Sequence, residues 1–288
     1  MGTKKNFAVA LALLCSACVL AGKAHAANPP TNAEELVALH LDSIASSTVR
    51  AGLKTRVAQG PVEYKILVGG AGTLDGKAVL VSDGKKLQVM MKLPNNEYRG
   101  EQFIFDGEKD SVAFSTAGQA RSSLGNFIFV QDAVIREGLL GGVLTTAWPL
   151  SNLDERKAKL SFDGLKKING QELYELRYRP HKSTDLEINL YFDPQTFRHL
   201  ETTYSYSVSE GLTLGGEKAT AGQQPNRYRL TEKFSDFKTV DGVTLPTHDN
   251  IQFSQELQNG KTTLNEWDLK GLDISNNRSI DASAFVVK

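Results

Sequence analysis

From Val62 onward the chain is written in alternation. Val62, Tyr64, Ile66 and Val68 fall on one side of an extended backbone, and Glu63 and Lys65 on the other. Leu87, Val89, Met91 and Leu93 repeat the pattern, as do Phe103 and Phe105. A period of two marks a strand with one buried face, because successive side chains point to opposite sides of a sheet. Gly69-Gly70, Asp75-Gly76, Asp83-Gly84 and Asp106-Gly107 separate the runs. Asp-Gly between alternating runs favours tight hairpins, since both residues tolerate positive φ. The first half therefore reads as an antiparallel meander.

The second half keeps this grammar. Leu160 and Phe162 lead to turns at Asp163-Gly164 and Asn169-Gly170. Strands follow at Tyr174/Leu176/Tyr178, at Leu186/Ile188/Leu190/Phe192 and from Phe197 to Val208. Later ones are expected near Tyr228–Phe237, Val243–Gln255 and Thr262–Leu269. Asp193-Pro194 and Leu245-Pro246 mark strand ends, because proline cannot donate to a ladder. Residues 210–226, rich in Gly, Ala and Gln, read as a flexible hairpin tip. Neither a linker composition nor a repeat divides residues 27–288, so one antiparallel β domain is expected.

Two stretches break the alternation. Thr31-Asn32-Ala33-Glu34 is a capping-box pattern, and Leu36, Val37, His40, Leu41 and Ile44 then recur at helical spacing. Residues 117–148 form the second break, loop-like at first. Asp132 then stands where it can cap a short helix holding Val134, Ile135, Leu139, Leu140, Val143 and Leu144. Gly138, Gly141 and Gly142 interrupt that helix, each costing about 1 kcal/mol relative to alanine. The segment reads either as a core plug held by tertiary packing or as a mobile apolar lid over the sheet.

The N-terminus sets the compartment. Lys4 and Lys5, the apolar run Phe7 to Gly22, and Ala24-His25-Ala26 have the layout of a cleaved secretory signal over residues 1–26. Export to the periplasm is the expectation. The alternative is lipidation at Cys18, which would anchor the chain in the envelope; Cys15 stands where that signal usually has an aliphatic residue. Both cysteines lie in this segment, so the exported chain has neither disulfide nor thiolate. Of 33 basic residues, removal of Lys4, Lys5 and Lys23 leaves 30 against 33 acidic ones. That balance speaks against nucleic acid as a partner.

Recognisable chemistry is absent from the pattern. His40, His181, His199 and His248 sit in no zinc-type spacing, so no metal site is expected. There is no G-x-S-x-G elbow. The glycines at 70–76 fit neither a dinucleotide motif nor a P-loop and read as turns. His248-Asp249, near Asp241, can be drawn as an acid–base site but reads better as a polar strand end. No catalytic residue and no cofactor are expected. What remains is an apolar sheet face that needs a cover, with Met90, Met91, Phe103, Phe105, Phe127 and Phe129 available to line it.

Four stretches carry a family resemblance. They are Lys92-Leu93-Pro94-Asn95 with Tyr98 and Phe105-Asp106-Gly107-Glu108-Lys109; Tyr191-Phe192-Asp193-Pro194-Gln195-Thr196; residues 234–246; and Ile280-Asp281 through Phe285. Together they resemble the periplasmic lipoprotein-carrier superfamily, the LolA/LolB-like outer-membrane lipoprotein-sorting proteins. The resemblance implies a mainly β fold, an incomplete antiparallel β-barrel whose apolar concave face is covered by helices. It makes residues 33–45 and 124–147 the cover, and adds Leu124, Val134, Leu139, Leu140, Leu144 and Trp148 to the lining. It implies an acyl chain of a lipid or lipoprotein as ligand, with an inner- or outer-membrane protein as a further partner. Some relatives serve instead as envelope-stress regulators. In the carrier an arginine of the K-x-P motif latches the lid; here Leu93 holds that position.

Overall fold

The computed structural model describes residues 28–114, 121–208 and 226–286. The expected signal segment with Cys18, and the tip at 210–226 save Asn226, lie outside them. The first half contributes β1 (Thr55–Val68), β2 (Thr73–Asp83), β3 (Lys86–Lys92), β4 (Gly100–Phe105) and β5 (Asp110–Phe114). The second contributes β6 (Lys159–Ile168), β7 (Gln171–Arg179), β8 (Glu187–Phe192), β9 (His199–Val208) and β10 (Asn226–Val240). Three more follow: β11 (Val243–Glu256), β12 (Thr262–Lys270) and β13 (Asp273–Asn276).

These strands form one antiparallel sheet in the order β5-β4-β3-β2-β1-β12-β11-β10-β9-β8-β7-β6, with β13 beside β1. The end strands β5 and β6 do not pair with each other, so the sheet is open. Helix α1 (Ala33–Ile44) touches both β11 and β6. Those strands stand five places apart in the sheet order, so α1 crosses the hollow of a sheet that curls around its cover as an incomplete barrel.

Period two decides which side chains enter the curl. Leu87, Val89 and Met91 of β3 stand opposite Phe105, Phe103 and Glu101 of β4 and face inward. Val81 and Ile104 face outward, where Phe285 of a closing 3-10 turn (Ala282–Phe285) covers them.

The cover joins β5 to β6. It holds α3 (Ser123–Val130), α4 (Ala133–Arg136), 3-10 turns at Gly142–Leu144 and Pro149–Ser151, and α5 (Leu153–Arg156), while α1 and α2 (Ser47–Ala51) precede β1. It adds no strand to the sheet.

Four local expectations need correction. The N-cap of α1 is Asn32, whose side chain accepts from the Glu35 amide at 2.9 Å, while the Glu35 carboxylate takes the Thr31 amide at 2.7 Å; the box sits one residue later than expected. Asp75-Gly76 is not a turn but lies inside β2, because a Cβ on Gly76 would stand 2.2 Å from the Lys92 carbonyl oxygen. Asp163-Gly164 is a bulge within β6, and the hairpin to β7 turns at Asn169-Gly170, both at positive φ. The loop-like start of the cover contains the helix α3, whereas the expected helix after Asp132 lasts only through Arg136.

Glycine explains that early stop. Gly138, Gly141 and Gly142 have φ of 75°, 78° and 49°, the left-handed region. They turn the chain back rather than weaken a helix. A Cβ on Gly138 would meet the Ala147 carbonyl oxygen at 2.2 Å. Gly138→Ala is therefore expected to cost about 3 kcal/mol or more, read as a lowered thermal midpoint by circular dichroism. An unchanged midpoint would show that this turn is not rigid.

Candidate functional site

The inner face and the cover meet in one continuous core. Met91, Phe103 and Phe105 from the sheet and Leu124, Phe127, Val134, Leu139, Leu140, Leu144 and Trp148 from the cover are all buried in it. Phe127 packs on Phe253 at 5.1 Å between ring centroids. Met90 stands apart: it pairs with Val79 on the outer face, the necessary consequence of following Val89 in a strand. Phe129 also stands apart, 49% exposed on the far side of α3, with the Arg121 guanidinium 3.6 Å above its ring. Val130 beside it is 54% exposed. The segment from 133 to 150 is thus packed as a plug, with Trp148 only 1% exposed.

Polar groups fasten this plug to the wall. The Trp148 indole N–H donates to His40 Nε2 at 3.0 Å. His40 must then carry its proton on Nδ1, which lies 3.0 Å from the Phe197 carbonyl oxygen. Burial pushes the His40 imidazole down to about 4, so it is neutral near pH 7. Trp148 also stacks on His199 at 4.7 Å. His199 Nε2 faces Thr202 Oγ1 at 2.9 Å, and burial likewise drives its affinity for a second proton well down. The Ser82 hydroxyl accepts from the Thr146 amide at 2.8 Å. Arg56 Nη1 donates to the Val143 carbonyl oxygen at 2.6 Å, so an arginine on β1 reaches the cover.

Two acids lie beneath the plug. Glu232 accepts from the Gly141 amide at 2.8 Å and from the Tyr204 hydroxyl at 2.9 Å. Asp249 is fully buried, and neither of its oxygens has a partner among the described residues. Register places both on the inner face: Glu232 is opposite Ile251, and Asp249 opposite Phe234. Burial raises the Glu232 carboxyl to about 7 despite its two donors. Burial and the neighbouring charges of Glu232 and Asp268 raise Asp249 well above the usual carboxylate range.

A third acid sits where α3 begins. Glu101 Oε1 accepts from the Ser122 hydroxyl and from the Tyr98 hydroxyl at 2.7 Å, and Trp267 Nε1 donates to Tyr98 at 2.9 Å. Ser122 also caps α3 through the Gly125 amide. Burial raises Glu101 to about 7, against the pull of these hydrogen bonds. The chain Ser122–Glu101–Tyr98–Trp267 ties the first turn of α3 to β4 and β12.

His248 and Asp249, adjacent on β11, point to opposite faces and form no site together. His248 lies outside, between Ser235 Oγ at 2.8 Å and Asp268 Oδ1 at 2.6 Å. Burial alone would raise Asp268, but hydrogen bonds from Lys270, His248 and Asn250 and the charge of His248 hold it at about 2. Asp236, 3.8 Å from His248 Nδ1, puts negative charge beside the Ser235 hydroxyl. That is the wrong sign for stabilising an oxyanion. The array is a polar ladder across three strands.

Sequence pattern missed Arg56, Glu101 and Glu232, and took Asp249 for part of a polar strand end rather than a buried acid. Each occupies an inward position of an alternating run where an apolar residue is the rule, and that inversion was the available signal.

No family model matches the sequence, and no curated protein matches it. Among solved structures the chain is similar to a LolA superfamily protein from Nitrosomonas europaea, at 14% identity over 89% of this chain and 98% of that one, with a TM-score of 0.44. It is similar to a DUF1329 family protein from Desulfovibrio piger, at 13% identity over 88% of this chain and 96% of that one, TM-score 0.44. It is also similar to an outer membrane lipoprotein-sorting protein domain from Vibrio parahaemolyticus, at 11% identity over 88% of this chain and 96% of that one, TM-score 0.43. The chain resembles these three proteins over most of its length.

Proposed function

We propose that this protein is a non-enzymatic binding or carrier protein of the cell envelope, taking up an acyl chain between the inner face of its sheet and the plug. One observation carries the reading. The apolar inner face is closed by a segment that contributes no strand, so the ladder is complete without it. Displacing the plug breaks no interstrand hydrogen bond; it exposes apolar surface, which a ligand's methylenes can cover at about 0.8 kcal/mol per CH₂. The carrier motifs at 92–109, 191–196 and 234–246 agree with this reading, and export through residues 1–26 would bring the protein to the periplasm. No described helix is long and apolar enough to cross a membrane.

Native mass spectrometry of protein released gently from the periplasm tests the reading, together with titration of a fluorescent fatty acid. One displaceable chain per molecule is the expected result. A bare mass with no uptake overturns it.

A second reading is favoured by the exposed pair Phe129 and Val130 on α3 beside a filled interior. Here the fold is an interaction or stress-sensing module, and α3 meets a membrane-bound partner protein. Crosslinking in cells through position 129 should then trap one specific protein, and the fatty acid should not bind.

A further inference from the structure

Arg56 is buried, 3% exposed, and has no carboxylate partner among the described residues. Nε donates to Asn276 Oδ1 at 2.8 Å and Nη1 to the Val143 carbonyl oxygen, while Nη2 has no acceptor among the described residues. A buried charge is normally paired, because neutral dipoles recover only part of the lost hydration. Burial lowers the guanidinium to about 10, which still leaves it charged near pH 7.

This unpaired cation lines a cleft of about 300 Å³ between α2 and residues 143–152. Arg50 lines it too, with its side chain 23% exposed and its Asp42 partner outside at 71% exposure. No acidic residue contributes to the lining. At the rim, the side chains of Ser151 and Asn152 make no hydrogen bond with any described residue. The cleft therefore presents two guanidinium groups and uncommitted polar side chains; Arg50 is paired from outside by exposed Asp42, and Arg56 has no acidic partner among the described residues.

We propose that this cleft is a binding site for a phosphate or phosphate monoester, held by Arg56 at its floor and Arg50 at its side. Arginine forks match the oxygens of a tetrahedral anion, and two of them suit a dianion better than a single carboxylate. The volume leaves room for a substituent beyond the phosphate. The plug itself forms one wall of the site, through Val143, Thr145, Thr146 and Trp148, so the site is present while the plug is seated.

The test titrates inorganic phosphate into the full exported chain at low ionic strength, following heat and thermal midpoint, with sodium chloride of equal ionic strength as the control. Saturable binding that raises the midpoint is expected. Arg50→Gln should weaken it roughly tenfold, and Arg56→Gln should abolish it. Arg179→Gln, exposed and away from the cleft, should change nothing. Should Arg56→Gln fail to fold, Arg50→Gln carries the test alone, and an unchanged affinity overturns the proposal. So does a response that chloride reproduces. A hexadecyl phosphate arm separates the sources: affinity well above that of phosphate identifies a lipid headgroup, and equal affinity a free phosphate. Because phosphate itself has no acyl chain, its binding survives a negative fatty-acid result, and the two readings fail separately.

Discussion

Trp148→Ala is expected to destabilise the fold by about 3–5 kcal/mol. The indole is almost fully buried, so truncation removes a large apolar volume that the curled sheet cannot fill by collapse. It also removes the hydrogen bond to His40 and the stacking on His199. Trp148→Phe separates these contributions. It keeps most of the packing but leaves His40 Nε2 buried without a donor, at about 1–3 kcal/mol. Urea unfolding measures both. A Trp148→Ala variant within about 1 kcal/mol of wild type would mean that the plug is not part of the cooperative core.

The second large effect is one of pH. The Glu232 carboxyl is raised from 4.5 to about 7 in the fold, so the native state binds its proton more tightly than the unfolded chain does. Stability from this group is therefore fully present below pH 4.5, declines as pH rises, and is lost above about 7. The total is roughly 3 kcal/mol. Glu232→Gln should recover about that amount at pH 8 and nothing at pH 4. The amide suits the site, since its oxygen can accept from Gly141 and its NH₂ can donate to a turned Tyr204 hydroxyl. Subtracting wild-type from variant stability at each pH cancels His40, whose lowered value acts in the opposite sense below pH 6.5. A difference that stays flat from pH 4 to 8 would show that folding does not raise the Glu232 carboxyl. Asp249 shifts in the same direction, so Asp249→Asn should act with the same sign.

The strands were legible because their cause is local. Val62 to Val68 and Leu87 to Leu93 alternate, and alternation is a property of neighbouring residues. Asp75-Gly76 misled for the opposite reason: what requires glycine at 76 is the Lys92 carbonyl, on a strand sixteen residues away in sequence. The plug misled similarly. Gly138, Gly141 and Gly142 look like flaws in a helix until Ala147, Leu80 and Phe234 are seen against them. The acids were legible at most as two polar residues at apolar positions, not as a pair. Glu232 and Asp249 become neighbours only once the β10–β11 register is known, and a one-residue slip of one strand would turn its acid outward. Leu139, Leu140, Leu144 and Trp148 were legible as apolar. That they fill the barrel from a strand-free segment was not, because the sequence does not say what faces them.

An open sheet ends in two unsatisfied rows of backbone groups, and each end here carries its own guard. Helix α3 lies against β5. The other end, β6, is touched by α1, is broken by the bulge at Phe162/Gly164 and carries exposed Lys159, Lys166 and Lys167. A kinked, like-charged edge cannot template a second copy of itself. Curling without closing thus leaves room for a movable filling while withholding the flat edge from which fibrils grow.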